Sequence, residues 1–324
     1  MQMGIIYEQK DGEMKQKAEK PIAITPRYDD ILRAVHECRY ATVNHITRLF
    51  YAPSSYSHVN EIMTMLAGGR DHATGYYLYR FPLPNTRIGN TERVYTLGGK
   101  GIKYLEEEDG CEVAWRFDAA KLHSLSYGYL MHQLDITSFL IGAKLYSQEN
   151  DRNGIDPHLE EYKTEYILRP LREKVTITVK SATGATGEQS VEVVPDLWLD
   201  FHFTHPKQPH APVLVEIDRG SEGLKKFKEK IKALLAFISG PGYKNMFGVR
   251  PVTIAYVVTA GPDNRLETIL KWTHEVLTEQ HMTNFADTFR FCRLYPHWET
   301  EYTRLFTAPH WYRPADKRSL PLLS

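Results

Sequence analysis

The sequence has little that would suit an oxidising or membrane environment. It contains only three cysteines, which are far apart and odd in number, so neither a disulfide framework nor a cysteine zinc site is indicated. No apolar run reaches the roughly 18 residues that a membrane-spanning helix needs. The N-terminus also lacks the apolar core of a signal peptide. We therefore predict a cytoplasmic protein that does not contact a membrane.

The chain also lacks net charge. Its 324 residues include 40 Lys and Arg against 40 Asp and Glu. Composition alone therefore gives no support to nucleic-acid binding, and any such surface must come from local segregation of charge. The length allows about two domains of roughly 100–200 residues each. A hydrophobic content of 42% is ordinary for a globular protein.

The N-terminal half has the pattern of three short helices followed by two strands. Apolar residues recur at helical spacing after Thr25, after Thr42 and after Ser55, and the third helix stops at Gly68. Strand-forming segments at 76–81 and 93–97 flank a stretch rich in turn residues. This order predicts a winged helix with a helix-turn-helix at residues 25–110, preceded by a flexible arm at residues 1–24.

Candidate DNA contacts lie on the third helix and on the strands. The exposed helix face carries small polar side chains, and no Lys or Arg lies between Tyr51 and Gly69. Positive charge comes from the wing, where Arg side chains are expected to contact phosphates. We therefore expect double-stranded DNA as a partner, although many winged helices mediate only protein contacts. The predicted DNA-binding residues are Ser55, Ser57, His58, Asn60, Arg80, Arg87 and Arg93.

The C-terminal half alternates helical and extended segments. A long helix at 119–148 precedes several strands, and then helix, strand, helix and strand follow. This order predicts a mixed sheet covered by helices at residues 119–295, and an α+β class for the whole chain. Residues 296–324 are rich in aromatics and prolines. We interpret them as a C-terminal tail that packs across the domains or docks a partner.

Three acidic residues stand at strand ends in this half. Asp196 follows Pro195, and Glu216 and Asp218 are two apart at the end of an apolar strand, so they point to the same face. A set of oxygen ligands suits Mg²⁺ or Mn²⁺, either of which supports phosphodiester cleavage. The alternative is structural, since Pro-Asp is common at turns and a Glu ending a strand is usually solvated or ion-paired.

These residues resemble the PD-(D/E)XK nuclease motif, in which Pro195-Asp196 is followed by Glu216-x-Asp218 on a strand-strand-helix frame. The resemblance implies a restriction-endonuclease-like fold and Asp196, Glu216 and Asp218 as metal ligands. The motif Lys falls where this chain has Asp218, but some members carry it on the next helix, which here holds five lysines. We assign Lys230 to that role beside Asp196 and Glu216. Asp135 or His132 would stand for the family's helical acid.

The whole chain more closely resembles the replication-relaxation family of plasmids and other mobile elements, over residues 25–294. The resemblance rests on an ordered set of motifs: Ala41-Thr42, Leu130-x-His132-x-Leu134-x-Ile136, Pro195-Asp196, and residues 215–221 with Lys230 downstream. It implies a role in DNA replication, mobilisation or maintenance, with replication or mobilisation proteins as further partners. It does not predict an oligomeric state.

Three functions remain open at this point. The first is a Mg²⁺- or Mn²⁺-dependent DNA endonuclease. The second is a non-catalytic DNA-binding adaptor or transcriptional regulator with a degenerate nuclease fold, which the displaced motif Lys favours. The third is a protein-interaction module, which the zero net charge favours.

Overall fold

The computed structural model describes residues 22–68, 76–84, 92–113, 118–180, 186–204, 209–295, 297–314, 316 and 318–323. Most of the predicted N-terminal arm, and Arg87 of the predicted wing, lie outside these residues. Ile22 and Ile24, at the end of that arm, pack against the N-terminal core. Within the described ranges, no helix combines the length and the apolar character that a bilayer span requires.

The N-terminal region is built from three helices and a hairpin. Helices α1 (Pro26–Cys38), α2 (Val43–Phe50) and α3 (Tyr56–Leu66) precede strands β1 (Leu78–Pro82) and β2 (Arg93–Leu97), which pair antiparallel. Thr25 caps α1, and Thr42 forms a capping box with His45 at the start of α2, which satisfies backbone N–H groups of the first turns. These elements occur in the predicted order. The winged-helix assignment remains an interpretation of it.

The long helix predicted at 119–148 is two helices in the structure. After α4 (Gly99–Asp109), the short α5 (Ala119–His123) is separated from α6 (Tyr127–Asn153). The break has a local cause, because Asp118 caps α5 and Ser126 caps α6, where the Ser126 hydroxyl accepts a hydrogen bond from the Tyr129 N–H at 3.2 Å. The prediction of one continuous helix was wrong at this point.

The C-terminal region has a seven-stranded mixed sheet and a separate hairpin. The three central strands of the sheet run parallel to each other, and the outer strands run antiparallel to their neighbours. The predicted α+β class is thereby confirmed. The sheet order is β11-β10-β9-β8-β7-β6-β3, and the hairpin is β4-β5. The strands are β3 (His158–Thr164), β4 (Glu173–Lys180), β5 (Thr186–Val193), β6 (Leu197–His202), β7 (His210–Asp218), β8 (Thr253–Val258), β9 (Phe289–Arg293), β10 (Trp311–Tyr312) and β11 (Ser319–Leu320).

Helices cover both faces of this sheet. In β7, Leu214 faces one core and Val213 and Val215 face the other, so the strand is apolar on both sides. The first core includes α8 (Leu224–Ser239), α9 (Gly242–Phe247) and α10 (Arg265–Glu279), and the second includes α6 and α11 (Tyr302–Thr307). A short helix, α7 (Glu165–Leu168), follows β3.

Two predicted strands differ from the structure. The segment 191–199 was expected to be one strand, but β5 ends at Val193 and pairs with β4, while β6 begins at Leu197 in the main sheet. Pro195 lies at this break, where its missing N–H costs no ladder hydrogen bond. The strand expected at 162–171 ends at Thr164. The segment interpreted as a tail adds β10 and β11 to the sheet, with Tyr312 opposite Phe291.

Buried contacts join the N-terminal and C-terminal regions. Tyr79 and Phe81 of β1 share a core cluster with Leu130 and Leu134 of α6. A polar chain runs beside it. The Thr42 N–H donates to His45 Nδ1 at 3.2 Å, so Nε2 carries the proton and donates to Ser138 Oγ at 2.8 Å.

The same chain continues to the C-terminal segment, because the Ser138 hydroxyl donates to Glu299 at 3.0 Å. Trp298 packs close to Gly142 of α6, and Arg48 of α2 lies 3.5 Å from Glu299. The C-terminal segment therefore touches both regions. Helix α6 contributes side chains both to the core cluster with β1 and to the core of the main sheet.

Candidate functional site

The three predicted acidic ligands are all buried at one end of the sheet. Asp196 directly precedes β6, and Glu216 and Asp218 are close to the end of β7. Their exposed fractions are 7%, 1% and 6%. Leu197 of β6 pairs with Val215 of β7. Because these strands are antiparallel, Asp196, the residue before Leu197, and Glu216, the residue after Val215, lie next to each other. Buried carboxylates need charged or hydrogen-bonding partners, and the partners show how this site is organised.

Asp196 is held by His132 and by the backbone. His132 Nε2 lies 3.1 Å from Oδ1, and the Ile217 N–H donates to Oδ2 at 2.7 Å. Burial alone would raise the pKa of Asp196, but the His132 hydrogen bond and the Lys230 charge lower it below its ordinary value. For His132, burial alone would lower the pKa, but the hydrogen bond and the charge of Asp196 have the larger effect. The pKa of His132 is therefore raised above its ordinary value.

The structure separates the two alternatives for the family's helical acid. His132 contacts Asp196, whereas Asp135 pairs with Arg219 and accepts a hydrogen bond from Thr259 at 2.6 Å. Both residues lie on α6. The α6 position beside Asp196 is therefore occupied by an imidazole rather than a carboxylate.

Glu216 is paired with Lys230 of α8. Lys230 Nζ lies 2.6 Å from Glu216 Oε2, with 32% of the Lys230 side chain and 2% of the Glu216 side chain exposed. Burial raises the pKa of Glu216, and the Lys230 charge partly offsets the rise. Burial lowers the pKa of Lys230, but Glu216 and the neighbouring acids raise it well above its ordinary value. Lys230 therefore stays a cation beside the two carboxylates.

Asp218 is engaged elsewhere. Arg265 of α10 contacts its Oδ2 through Nε and Nη2, each at 2.8 Å, and the Gly220 N–H donates to Oδ1. Gly220 has φ 74°, and a Cβ there would lie 2.6 Å from Gly261 Cα, so the turn after Asp218 needs glycine. The structure thus brings together two of the three predicted ligands. Within the described part of the chain, no three His, Cys, Asp or Glu side chains form a metal-binding group.

Two adjoining cavities open beside the Glu216–Lys230 pair. One, of about 400 Å³, is lined by polar and charged groups that include His132, Arg219 and Tyr256. The other, of about 350 Å³, lies between β5 and α8. The residues that line both are Glu222, Lys226 and Lys230, and Glu216 lines the second. We call the two cavities together the cleft.

Three of the predicted DNA-binding residues meet in a separate groove. Asn60 of α3, Arg80 of β1 and Arg93 of β2 line a cavity of about 380 Å³. Arg80 donates to Thr64 at 3.4 Å. Glu92 lies in the same groove, and burial raises its pKa.

The remaining predicted DNA contacts lie around the start of α3. Ser57 and His58 are exposed on α3, and Ser55 is half-buried in the turn before it. Arg87 lies outside the described residues. The structure therefore places Arg80 and Arg93, two of the predicted DNA-binding arginines, beside α3.

Residues 32–253 match the replication-relaxation family model. The chain belongs to the replication-relaxation family. The matched stretch includes Asp196, Glu216 and Lys230 as well as the groove residues. Membership indicates a role in plasmid replication or mobilisation. No curated protein and no solved structure matches the chain.

Sequence reasoning missed two residues that this family member places at the site. Arg265 neutralises Asp218 from 47 positions further along the chain, and no local pattern indicates the pairing. Tyr256 lies directly beside Glu216 in the parallel pairing of β7 and β8. The run of β8 indicated a buried strand, but the register that sets Tyr256 beside Glu216 is a property of the assembled sheet.

The residues present suit a two-carboxylate Mg²⁺ or Mn²⁺ site. Mg²⁺ commonly keeps several waters and binds one or two protein carboxylates together with substrate phosphates. Asp196 and Glu216 are such a pair, and the cleft has room for a phosphate beside Glu216 and beside His132, the partner of Asp196. Asp218 does not fit the same set, because its carboxylate is paired with Arg265 of α10, which contacts Oδ2 through two nitrogens.

Proposed function

We propose that this member of the replication-relaxation family binds DNA of a plasmid or another mobile element and cleaves a phosphodiester at the Asp196–Glu216 pair. The observation that carries the proposal is the contact of Lys230 with Glu216 at 2.6 Å. This contact of a cation from α8 with Glu216 supports the assignment of Lys230 to the role of the motif Lys, although the motif position itself holds Asp218. The family assignment supports a DNA-related role.

Each side chain has a role that follows from its position. Asp196 and Glu216 would hold Mg²⁺ or Mn²⁺, which supplies an activated water and neutralises charge on the phosphate. Lys230 lines the cleft and offers its ammonium to a phosphate oxygen. His132 fixes the orientation of the Asp196 carboxylate through its contact at 3.1 Å. Arg80 and Arg93 would contact the DNA backbone, and Asn60 would face base edges.

The DNA-binding part of the proposal predicts a salt-sensitive interaction that depends on the groove. Arg80→Ala and Arg93→Ala should each weaken duplex binding across sequences. Because each variant removes one phosphate contact, each should reduce the slope of log affinity against log salt by about 1. The measurement is a fluorescence anisotropy titration of the full chain at several salt concentrations. Lys103→Ala, which removes an exposed charge on α4 outside the groove, serves as the control.

Two results would count against this part. Equal affinity of the groove variants and the control would remove the groove from the interface. Absence of any salt-sensitive binding by the unmodified chain would remove the DNA-binding proposal itself.

A second candidate function is a non-catalytic DNA-binding adaptor or transcriptional regulator. It is favoured by the fact that the buried charges of the site already have partners. Asp196 contacts His132, and Glu216 contacts Lys230. Incubation of the full chain with supercoiled plasmid and Mg²⁺ or Mn²⁺ separates the two. The nuclease is supported if the parent forms nicked or linear plasmid and Asp196→Ala does not. The adaptor is supported if the parent binds DNA but forms neither product. Replication or mobilisation proteins remain its proposed partners.

A further inference from the structure

The cleft has two compartments of different chemistry. Its polar compartment contains His132, Arg219 and Tyr256, whereas its apolar compartment lies between the β4-β5 hairpin and α8. The apolar side chains of the second compartment are Val191, Val193, Val194, Ala233 and Leu234. Lys230 lies where the compartments meet, since it lines both of them, and its partner Glu216 lines the apolar one.

The polar compartment holds an unused hydrogen-bond donor. The Tyr256 side chain is 1% exposed, and its hydroxyl has no hydrogen-bond partner among the residues that the structure describes. Burial raises its pKa well above the ordinary value, so the phenol remains protonated. Lys230 lies 5.9 Å from the centre of its ring. A buried hydroxyl without a partner costs free energy unless a ligand accepts its hydrogen bond, and an oxygen of a phosphate beside Lys230 would do so.

The apolar compartment suits a flat organic group. Its volume of about 350 Å³ lies within the range of small-molecule sites, which are mostly apolar with a few polar groups at the edge. Three of the charged residues around it are paired, with Glu192 on Arg172 at 3.3 Å, Glu222 on Lys226 at 3.1 Å and Glu216 on Lys230 at 2.6 Å. Gln189 and Glu229 supply further polar groups. A nucleobase has this combination of an apolar face and a polar edge.

We propose that the cleft binds one unpaired nucleotide, with its phosphate in the polar compartment and its base in the apolar compartment. This inference rests on the proposed function of the same site and names its substrate class. A base inside a continuous duplex is stacked on both sides and cannot enter, so the substrate is single-stranded or locally unpaired DNA. The groove at α3 would then hold the neighbouring duplex while the cleft takes an unpaired base.

The test compares a substitution that fills the apolar compartment with a matched substitution elsewhere on the β4-β5 hairpin. Val191 and Val179 are both half-buried valines on the β4-β5 hairpin that pack against the same core, but Val179 lines a different groove on α8. The probe is a single-stranded oligonucleotide that contains 2-aminopurine, titrated with the full chain in the presence of a chelator so that cleavage does not occur. The affinity of Val191→Phe for the oligonucleotide, measured from the 2-aminopurine fluorescence, should be about tenfold lower than that of the parent. Val179→Phe should bind the oligonucleotide with the affinity of the parent.

A second variant keeps the test decisive if Val191→Phe does not fold. Tyr256→Phe removes only a hydroxyl without a partner, so the free protein should be as stable as the parent or more stable. It should nevertheless weaken binding of the same oligonucleotide several-fold. A structural role for the hydroxyl would show the opposite, a lower melting temperature with unchanged affinity.

The outcomes distinguish the inference from the function on which it rests. If duplex binding and plasmid cleavage are present, but 2-aminopurine gives no response or both valine variants bind equally, the unpaired-nucleotide site is wrong and the proposed function stands. If the chain binds neither duplex nor single strand, both are wrong. Loss of the 2-aminopurine response in Val191→Phe alone, with duplex binding unchanged, supports the inference.

Discussion

Acid should destabilise the protein through one buried histidine between α2 and α6. His45 is 4% exposed, and burial, with a contribution from Arg48, lowers its pKa to about 3. In the unfolded chain an imidazole has a pKa of about 6.5. Below that value the unfolded chain takes up a proton that the folded chain does not, so stability is lost as the pH falls from about 6.5 towards 3.

The magnitude follows from the same shift. One proton per chain changes the free energy of unfolding by at most about 1.4 kcal/mol for each pH unit. Between pH 6.5 and 4.5 His45 should therefore cost about 2–3 kcal/mol of stability. The interaction at risk is the hydrogen bond from the Thr42 N–H to His45 Nδ1 at 3.2 Å, because protonation turns Nδ1 from an acceptor into a donor.

The assay is urea denaturation of the parent and of His45→Gln between pH 7.5 and 4.5. Gln is a usual residue at this position of a capping box and does not titrate, so the variant keeps the start of α2. The stability difference between the two proteins should change by about 2–3 kcal/mol in favour of the variant as the pH falls. His274→Gln, on the exposed side of α10, should leave the pH profile unchanged. Parallel profiles for the parent and His45→Gln would refute the reasoning.

Two further predictions concern the charges of the site. Arg265→Met should lower the free energy of unfolding by about 3–5 kcal/mol in urea, because it leaves Asp218 buried without a cation, and a variant as stable as the parent would show that Asp218 does not need Arg265. Lys230→Ala should remove plasmid cleavage but keep duplex binding, because its ammonium is expected to act on the phosphate, and an active variant would exclude Lys230 from the reaction.

Local signals in the sequence were enough for the elements that begin and end with clear caps. Thr25 and Thr42 start the first two helices as expected, and the apolar runs of β7 and β8 are buried strands. The same reasoning failed at Ser126, because the apolar pattern continues through the break and hides the cap. It also joined β5 to β6, because both segments are rich in strand formers and only tertiary packing assigns them to different sheets.

The candidate site was predictable as far as the motif reaches. Asp196 and Glu216 follow from the motif, and the resemblance to nucleases with a displaced Lys directed attention to α8, where Lys230 contacts Glu216. Asp218 could not be sorted from the other two acids by sequence, because its two-residue spacing from Glu216 is the same whether it binds a metal or an Arg. The deciding partner, Arg265, comes from a distant helix.

The central claim is that Asp196 and Glu216 together bind a divalent cation beside Lys230, and thermal melting of the full chain against Mg²⁺ and Mn²⁺ tests it most directly. A cation that binds only the folded chain should stabilise it by about 2.7 kcal/mol at 100 times its dissociation constant. We predict a melting temperature that rises with metal concentration in the parent and in the exposed control Glu188→Ala, and no rise in Asp196→Ala or Glu216→Ala. A parent that is indifferent to both metals, or an Asp196→Ala variant that responds as the parent does, would contradict the account.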